Sequence, residues 1–260
     1  MAAHDCHRLL AWALPKLGLR AEGFERVRRQ ICKRMDRRRQ DLGLGSVAEY
    51  WARLESDPEE WPALDQLCRV TISRFYRDAW IWDALRPRLG ELATDGRLRC
   101  WSAGSASGEE AWTLRLIAGL DPASPDAIEV VGTDVDPHMV GRARAARYPP
   151  GTLRELPGEW GATAFQKSAG EQRLRDEWRT DVRFEVQDLR EGAPEGLFDL
   201  VLCRNLAFTY FGEEALRSAL NHLTGALRAG GILAVGKGEL VPAGHGLSAI
   251  EGAVGLYRRD

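Results

Sequence analysis

The chain has 260 residues, 44% of them hydrophobic and 28% charged, with a formal net charge of −2. That balance describes a folded protein with a proper core, and no stretch approaches the roughly 20 apolar residues of a membrane-spanning helix. Five cysteines (Cys6, Cys32, Cys68, Cys100 and Cys203) are scattered, odd in number and without a C-x-x-C pair. This spacing argues against a zinc site or a disulfide framework and suits a reducing, cytoplasmic setting.

Residues 1–90 read as a helical domain without a convincing strand. Phe24, Val27, Ile31 and Met35 recur at helical spacing and form a core-facing stripe. Around them stand nine cations (Arg20, Arg26, Arg28, Arg29, Lys33, Arg34, Arg37, Arg38 and Arg39) against Glu22, Glu25 and Asp36. Such a run is either a solvated face or a docking surface for an acidic partner. Gly43 and Gly45 close this helix, and Ser46 is the N-cap expected for the next. Asp57-Pro58 opens a third helix through Trp61, Leu64 and Leu67, and residues 71–85 finish the helical region.

From Leu98 onward strands and helices alternate, which implies a parallel sheet. Strands are expected at 98–102, 128–133, 183–187, 199–203 and 231–235, with helices at 109–120, 137–146 and 213–227. Gly230-Gly231 would cap the last helix, and the run 253–257 would add an antiparallel edge strand. Residues 149–182, neither clean helix nor clean strand, read as a small subdomain inserted after the second strand–helix unit.

The chemistry is concentrated in LRCWSAGSASGEEAWTLRLIAGL, residues 98–120, read with VVGTDVD at 130–136. An apolar run breaks into a Gly/Ser/Ala loop and then a helix, the start of a nucleotide-binding unit. Asp134 ends the second strand where such folds place a carboxylate for ribose hydroxyls. A helix N-terminus ordinarily attracts phosphate, but Glu109 and Glu110 on the first turn would repel a pyrophosphate. A nucleoside bearing positive charge fits instead. S-adenosylmethionine, with its sulfonium and ammonium, is such a ligand, and the expected activity is methyl transfer.

Four motifs, taken together, resemble the CheR-type chemotaxis receptor methyltransferases, which esterify glutamate side chains. WSAGSASGEEAW (101–112) is similar to the family's first-strand loop, and GTDVDPHMVGRARAARYP (132–149) to its second-strand motif. CRNLAFTYF (203–211) is similar to its fourth-strand motif, and TISRFYRD (71–78) to the segment joining its helical domain to the sheet. The resemblance implies an α/β, Rossmann-like class I methyltransferase domain over 91–260, with a seven-stranded, mostly parallel sheet. It implies cofactor contacts from Thr71, Ser73, Arg77, Glu110, Asp134, Asp188, Leu189, Asn205 and Leu206, and places Arg77 and Tyr210 at the reacting centre.

Residue chemistry supports several of these positions independently. Arg77 presents a planar donor fork suited to a carboxylate, belonging either to the cofactor's methionine end or to the acceptor. Surface pairing of Arg77 with Asp78 or Asp83, and capping of the following helix by Asp134, are the plainer alternatives. Tyr210 and Phe211 follow the Asn-containing loop, and core packing and an acceptor-pocket wall are equally open for them. The five histidines have no metal spacing and read as structural or exposed.

The chain also departs from the family pattern. Thr71 and Ser73 replace Asn and Thr, and Asp188 replaces Asn, turning a donor into an acceptor-only group. RNLAFTYF is one residue longer before its Tyr-Phe pair, and the insertion is shorter than the family's, which puts tethering to a receptor tail in doubt. A glutamate acceptor, with a pKa of about 4.3, is already ionised at neutral pH, so no general base is required and none is obvious. The leading expectation is O-methylation of glutamates on an acidic or helical partner protein docked on the basic helix, without membrane insertion or nucleic acid. A small-molecule carboxylate, a non-receptor protein, or a non-catalytic cofactor-binding adaptor are the alternatives.

Overall fold

A computed structural model describes residues 3–122, 124–125 and 127–260. The chain divides into two compact units, Met1–Val70 with Thr209–Leu216, and Thr71–Phe208 with Arg217–Asp260. The second unit takes in the helix around residue 85, which the sequence groups with the helical segment.

The first unit is built from α1 (Ala3–Ala13), α2 (Arg28–Asp41), α3 (Val47–Ser56) and α4 (Glu60–Cys68). Phe24, Ile31 and Met35 of the expected stripe are buried. Ser46 caps α3 by accepting from the Glu49 backbone N–H at 3.2 Å, and the Glu49 carboxylate accepts in return from Ser46 Oγ and the Gly45 N–H. Glu60 is 2% exposed, and it is satisfied there by both arms of the Arg38 fork, at 3.0 and 2.8 Å, and by the Tyr50 hydroxyl at 3.0 Å. A buried carboxylate needs such compensation.

One sequence expectation fails here. Cys6 on α1 and Cys32 on α2 form a disulfide, their Cα atoms 5.9 Å apart, while Cys68, Cys100 and Cys203 are free and buried. The two partners lie 26 residues apart. Only the packing of α1 on α2 brings them within bridging distance, so their spacing carried no sign of it.

The second unit opens with an irregular strap, residues 71–78, before α5 (Ala79–Leu92). The expected helix over 71–85 therefore starts later. Tyr76 (φ 55°) and Asp78 (φ 60°) both take left-handed backbone, which interrupts any helix. There follow β1 (Arg97–Ala103), α6 (Glu109–Leu120), β2 (Ala127–Asp134) and α7 (Pro137–Ala145). The excursion comprises β3 (Arg147–Tyr148), α8 (Trp160–Ala164), β4 (Phe165–Ser168) and β5 (Glu171–Leu174). The chain then runs through β6 (Val182–Val186), β7 (Phe198–Cys203), α9 (Ala207–Tyr210), α10 (Glu213–Ala226), β8 (Leu227–Val235), β9 (Leu247–Ala249) and β10 (Leu256–Arg259).

Seven strands form the main sheet in the order β6-β2-β1-β7-β8-β10-β9; the first five run parallel, and β10 is antiparallel to both its neighbours. This is the expected α/β sheet with its antiparallel edge. All six residues of β7 are buried, as a central parallel strand covered on both faces requires. Order reverses between β1 and β7, which opens a crevice at the carboxyl ends of those strands.

Two details differ from expectation. The segment after α7 is an ordered three-stranded antiparallel sheet, β3-β5-β4, whose strands of two to four residues are too short to show a period. Phe75 of the strap meets Tyr148 and Phe165 edge-on, with centroids 4.8 and 5.0 Å apart, and so ties the strap to it. Gly230-Gly231 do not cap α10, which ends at Ala226, but lie inside β8. Pairing of β7 with β8 slips there, and a Cβ on Gly231 would stand 3.0 Å from the Asp199 carbonyl oxygen. Close approach, not capping, asks for glycine.

Among the described residues no helix is long and apolar enough to cross a membrane. The disulfide makes a countable prediction. Thiol titration of the unfolded, unreduced protein should return the three free cysteines, rising to all five after reduction. Five thiols before reduction would show that Cys6 and Cys32 are not joined.

Candidate active site

The loop after β1 is fastened to the end of β2. The backbone N–H groups of Gly104 and Ser105 both donate to the Thr133 carbonyl at 2.8 Å, and the Ala106 N–H donates to Asp134 Oδ2 at 2.8 Å. Gly104 (φ 74°), Ala106 (φ 48°) and Gly108 (φ 88°) take the left-handed conformations that this turn demands. Leu206, beyond β7, lies over the loop so closely that a Cβ on Gly104 would stand 2.4 Å from its Cδ2. Asp134 Oδ1 accepts from the Asp136 N–H at 2.9 Å, while Asp136 itself caps α7 through the His138 N–H. The plainer alternative for Asp134, a helix cap, therefore falls to its neighbour.

Glu109 and Glu110, read as a pair in the sequence, do different things. Glu109 is 3% exposed and accepts from Ser107 Oγ at 2.9 and 3.0 Å. Burial pushes its carboxyl above the usual carboxylate range, against the opposing pull of hydrogen bonds that include Ser107 and Ser73. Glu110 keeps more solvent contact, and its two oxygens have separate partners. Ser102 Oγ donates to Oε1 at 2.8 Å, and Arg204 Nη1 to Oε2 at 3.0 Å. Of the two, Glu110 is the carboxylate held through each oxygen by a different residue.

The strap holds Arg77. Its Nη1 donates to the Ile72 carbonyl at 2.9 Å, and Nε lies 3.7 Å from Asp78 Oδ2. The pairing with Asp78 is present, but long and half-exposed, so it stabilises little. Thr71 and Ser73 are half-buried on the same strap, and Ser73 reaches Glu109. Asp188, after β6, is clasped by Arg190 at 2.6–3.0 Å, and the carbonyl of buried Leu189 meets His222 Nδ1 at 2.8 Å. Asn205 follows β7 with φ 56°, its N–H donating to buried Glu239 Oε2 at 2.9 Å.

Nine of the ten sequence-selected residues thus belong to the second unit, Glu110 in the first turn of α6, Asp134 at the end of β2 and the other seven on loops and turns. The exception is Tyr210, which belongs to the first unit, where its ring packs on Phe24 at 4.8 Å. Sequence reasoning missed Ser102, Arg204, Glu239 and His222 as holders of these loops. Arg204 stands inside the CRN run, so its motif was visible while its partners, distant in sequence, were not.

Residues 71–253 match a family model described as CheR methyltransferase, SAM binding domain. A chemotaxis protein methyltransferase of Listeria monocytogenes is 31% identical over 211 residues, covering 79% of each chain. Chemotaxis protein methyltransferase 2 of Pseudomonas aeruginosa is 28% identical, covering 83% of this chain and 80% of the relative. The chemotaxis protein methyltransferase of Escherichia coli is 27% identical over 82% of this chain and 76% of its own.

The raised carboxyl of Glu109 has a consequence for stability. Folding favours its protonated form, so it carries no penalty below its unfolded value and a growing one as pH rises through the folded value. Glu109→Gln should therefore gain in stability relative to the unmodified protein as pH is raised from 4 to 8, read by urea denaturation. A stability difference that does not change with pH would show that the carboxyl is not perturbed in this sense.

Proposed function

The chain belongs to the CheR methyltransferase family and is an S-adenosylmethionine-dependent methyltransferase; on that premise we propose that it esterifies glutamate side chains of a partner protein. One observation carries the assignment of the site: β1, β2, β6, β7 and the strap hand their motif-bearing loops to a single edge of one unit. The donor set fits the cofactor. Asp134 offers acceptor oxygens to ribose hydroxyls, Glu110 a carboxylate to an ammonium, and Arg77 a donor fork to a carboxylate. Beside Asp188, the buried Oε1 of Gln187 has no hydrogen-bond partner and is open to an amino donor. Thr71, Ser73, Leu189, Asn205 and Leu206 complete the wall. When bound, S-adenosylmethionine supplies a methyl group on a cationic sulfur, which reacts by in-line displacement at roughly 3–3.5 Å from the nucleophile.

A glutamate acceptor, with a pKa of about 4.3, arrives ionised. The residues of the site then have only to hold, align and dry it. The proposal includes a cytoplasmic setting, which the free thiols of Cys68, Cys100 and Cys203 favour and against which the Cys6–Cys32 bridge weighs. Base-labile methyl label, released as methanol after incubation of lysate with labelled S-adenosylmethionine, is the expected product. Label stable to mild base would exclude a carboxyl ester. Asp134→Ala should weaken S-adenosylhomocysteine binding by about 1–3 kcal/mol, and unchanged affinity in calorimetry would remove Asp134 from the ribose.

The acceptor is proposed to dock on α2. Of its cations, Arg34 is spent on the Leu67 and Arg69 carbonyls, Arg38 on Glu60 and Arg39 on Asp36, whereas Arg29, Lys33 and Arg37 form an exposed row. An acidic helix fits that row at i, i+4 and i+8 spacing. Replacing all three with Ser should raise the acceptor's KM several-fold and flatten its salt dependence, since attraction of this kind is screened beyond about 10 Å at 0.1 M salt. Cofactor affinity should not change. An unaltered KM would make the row a solvated face.

A further inference from the structure

Arg204 is the most deeply buried cation of the site, its side chain 3% exposed, and no cofactor contact is assigned to it. It follows β7 and reaches two distant segments. Nη1 donates to Glu110 Oε2 at 3.0 Å; Nη2 donates to the Arg77 carbonyl and to Asp78 Oδ2, both at 2.8 Å. Its guanidinium also lies 5.5 Å from the centre of the Trp82 ring, whose Nε1 donates to the same Arg77 carbonyl at 3.1 Å. A buried guanidinium is costly unless its charge is matched and its donors are used. Here two carboxylates and a carbonyl match its charge and its Nη donors, while the buried Nε has no partner among the described residues.

Resting on the assignment of Arg77 and Glu110 given above, we propose that Arg204 is the positioning residue that sets both of them at once. Arg77 sits between two residues in left-handed backbone, Tyr76 and Asp78. Such conformations persist only where surrounding contacts over-determine them, and Arg204 supplies two of those contacts, to the Arg77 carbonyl and to the Asp78 side chain. Glu110 stands on a flexible stem. Ser102 holds one of its oxygens and Arg204 the other, which leaves the carboxylate a single orientation. The group proposed for the cofactor's carboxylate and the group proposed for its ammonium are thereby fixed from one guanidinium. Lysine has one ammonium where the arginine fork serves three acceptors on two segments, so it keeps the charge and loses the linkage.

The test compares Arg204→Lys, Glu110→Gln and the double variant, with S-adenosylhomocysteine as the calorimetric probe and a thermal melt on each. Arg204→Lys should fold with a melting temperature close to that of the unmodified protein, yet bind the probe about tenfold or more weakly, the scale of lost charge-assisted bonds. In the double variant the two losses should add only in part, because Arg204 acts through the Glu110 carboxylate as well as through the strap. Wild-type affinity in Arg204→Lys would overturn the proposal, since filling and charge alone would then suffice. Additive losses would overturn it equally. Should Arg204→Lys not fold, Asp78→Asn loosens only the strap side, and its probe affinity decides the matter: several-fold weaker binding with an unchanged melt is expected, and unchanged binding counts against the linkage. If the unmodified protein itself does not bind the probe, the assignment of the site fails, and that result is distinct from each of these.

Discussion

Everything at this site hangs on how the loop after β1 closes against the end of β2. A chain leaving a buried strand must reverse into a helix while its N–H groups are still out of water, and each unpaired one would cost a desolvation penalty. The Thr133 carbonyl takes two of them and Asp134 a third. Once these bonds are made, the start of α6 is fixed, and with it the directions of Glu109 and Glu110. The positive φ angles at Gly104 and Gly108 follow from the tightness of the same turn. The Cβ space missing at Gly104 is filled by Leu206 from beyond β7, so that strand's loop is locked to the same closure.

The two glutamates show how far a charge argument from sequence reaches. Two carboxylates at a helix start were read as jointly repelling phosphate and attracting a cation. In the folded chain Glu109 turns inward, hydrogen-bonds Ser107 and favours its proton. Glu110 is held through both oxygens, with Arg204 3.0 Å away reducing the net charge that a ligand meets. The preference for a positively charged nucleoside therefore rests on one carboxylate in a set geometry, with Asp78 beyond it, and not on a doubled charge. Geometry here replaces magnitude, and a fixed carboxylate discriminates better than a mobile one because less order remains to be imposed on binding.

What was legible in the sequence follows the range of the interactions involved. Six of the seven strands of the main sheet and α6 were readable, because each is an apolar run bounded by its own turn residues, whereas the three-residue β9 was not; α6 begins at Glu109 and ends at Leu120 as its pattern implies. The short strands β3 to β5 were not readable, since two to four residues cannot display a period of two. Gly230-Gly231 was misread because a glycine pair signals a helix end and a close strand crossing alike, and only β7 alongside distinguishes them. The Cys6–Cys32 bridge and the Arg204 linkage were invisible for one reason. Each joins residues whose separation in sequence is set by helices and strands packed between them, 26 residues in the first case and 127 in the second.

Asp188 illustrates the opposite case, where a departure from the family pattern carries its own correction nearby. Replacing Asn by Asp removes an amide donor and adds a charge, which taken alone would alter what the site accepts. Two residues on, Arg190 grips both carboxylate oxygens, at 3.0 and 2.6 Å, and its backbone N–H binds one of them as well. Each carboxylate oxygen thereby meets a guanidinium nitrogen, and the two opposite charges lie side by side. Such a bidentate clasp costs little to form between residues so close in sequence, because few dihedral angles are fixed in making it. The charge introduced at position 188 is thus balanced locally, within the loop after β6 itself.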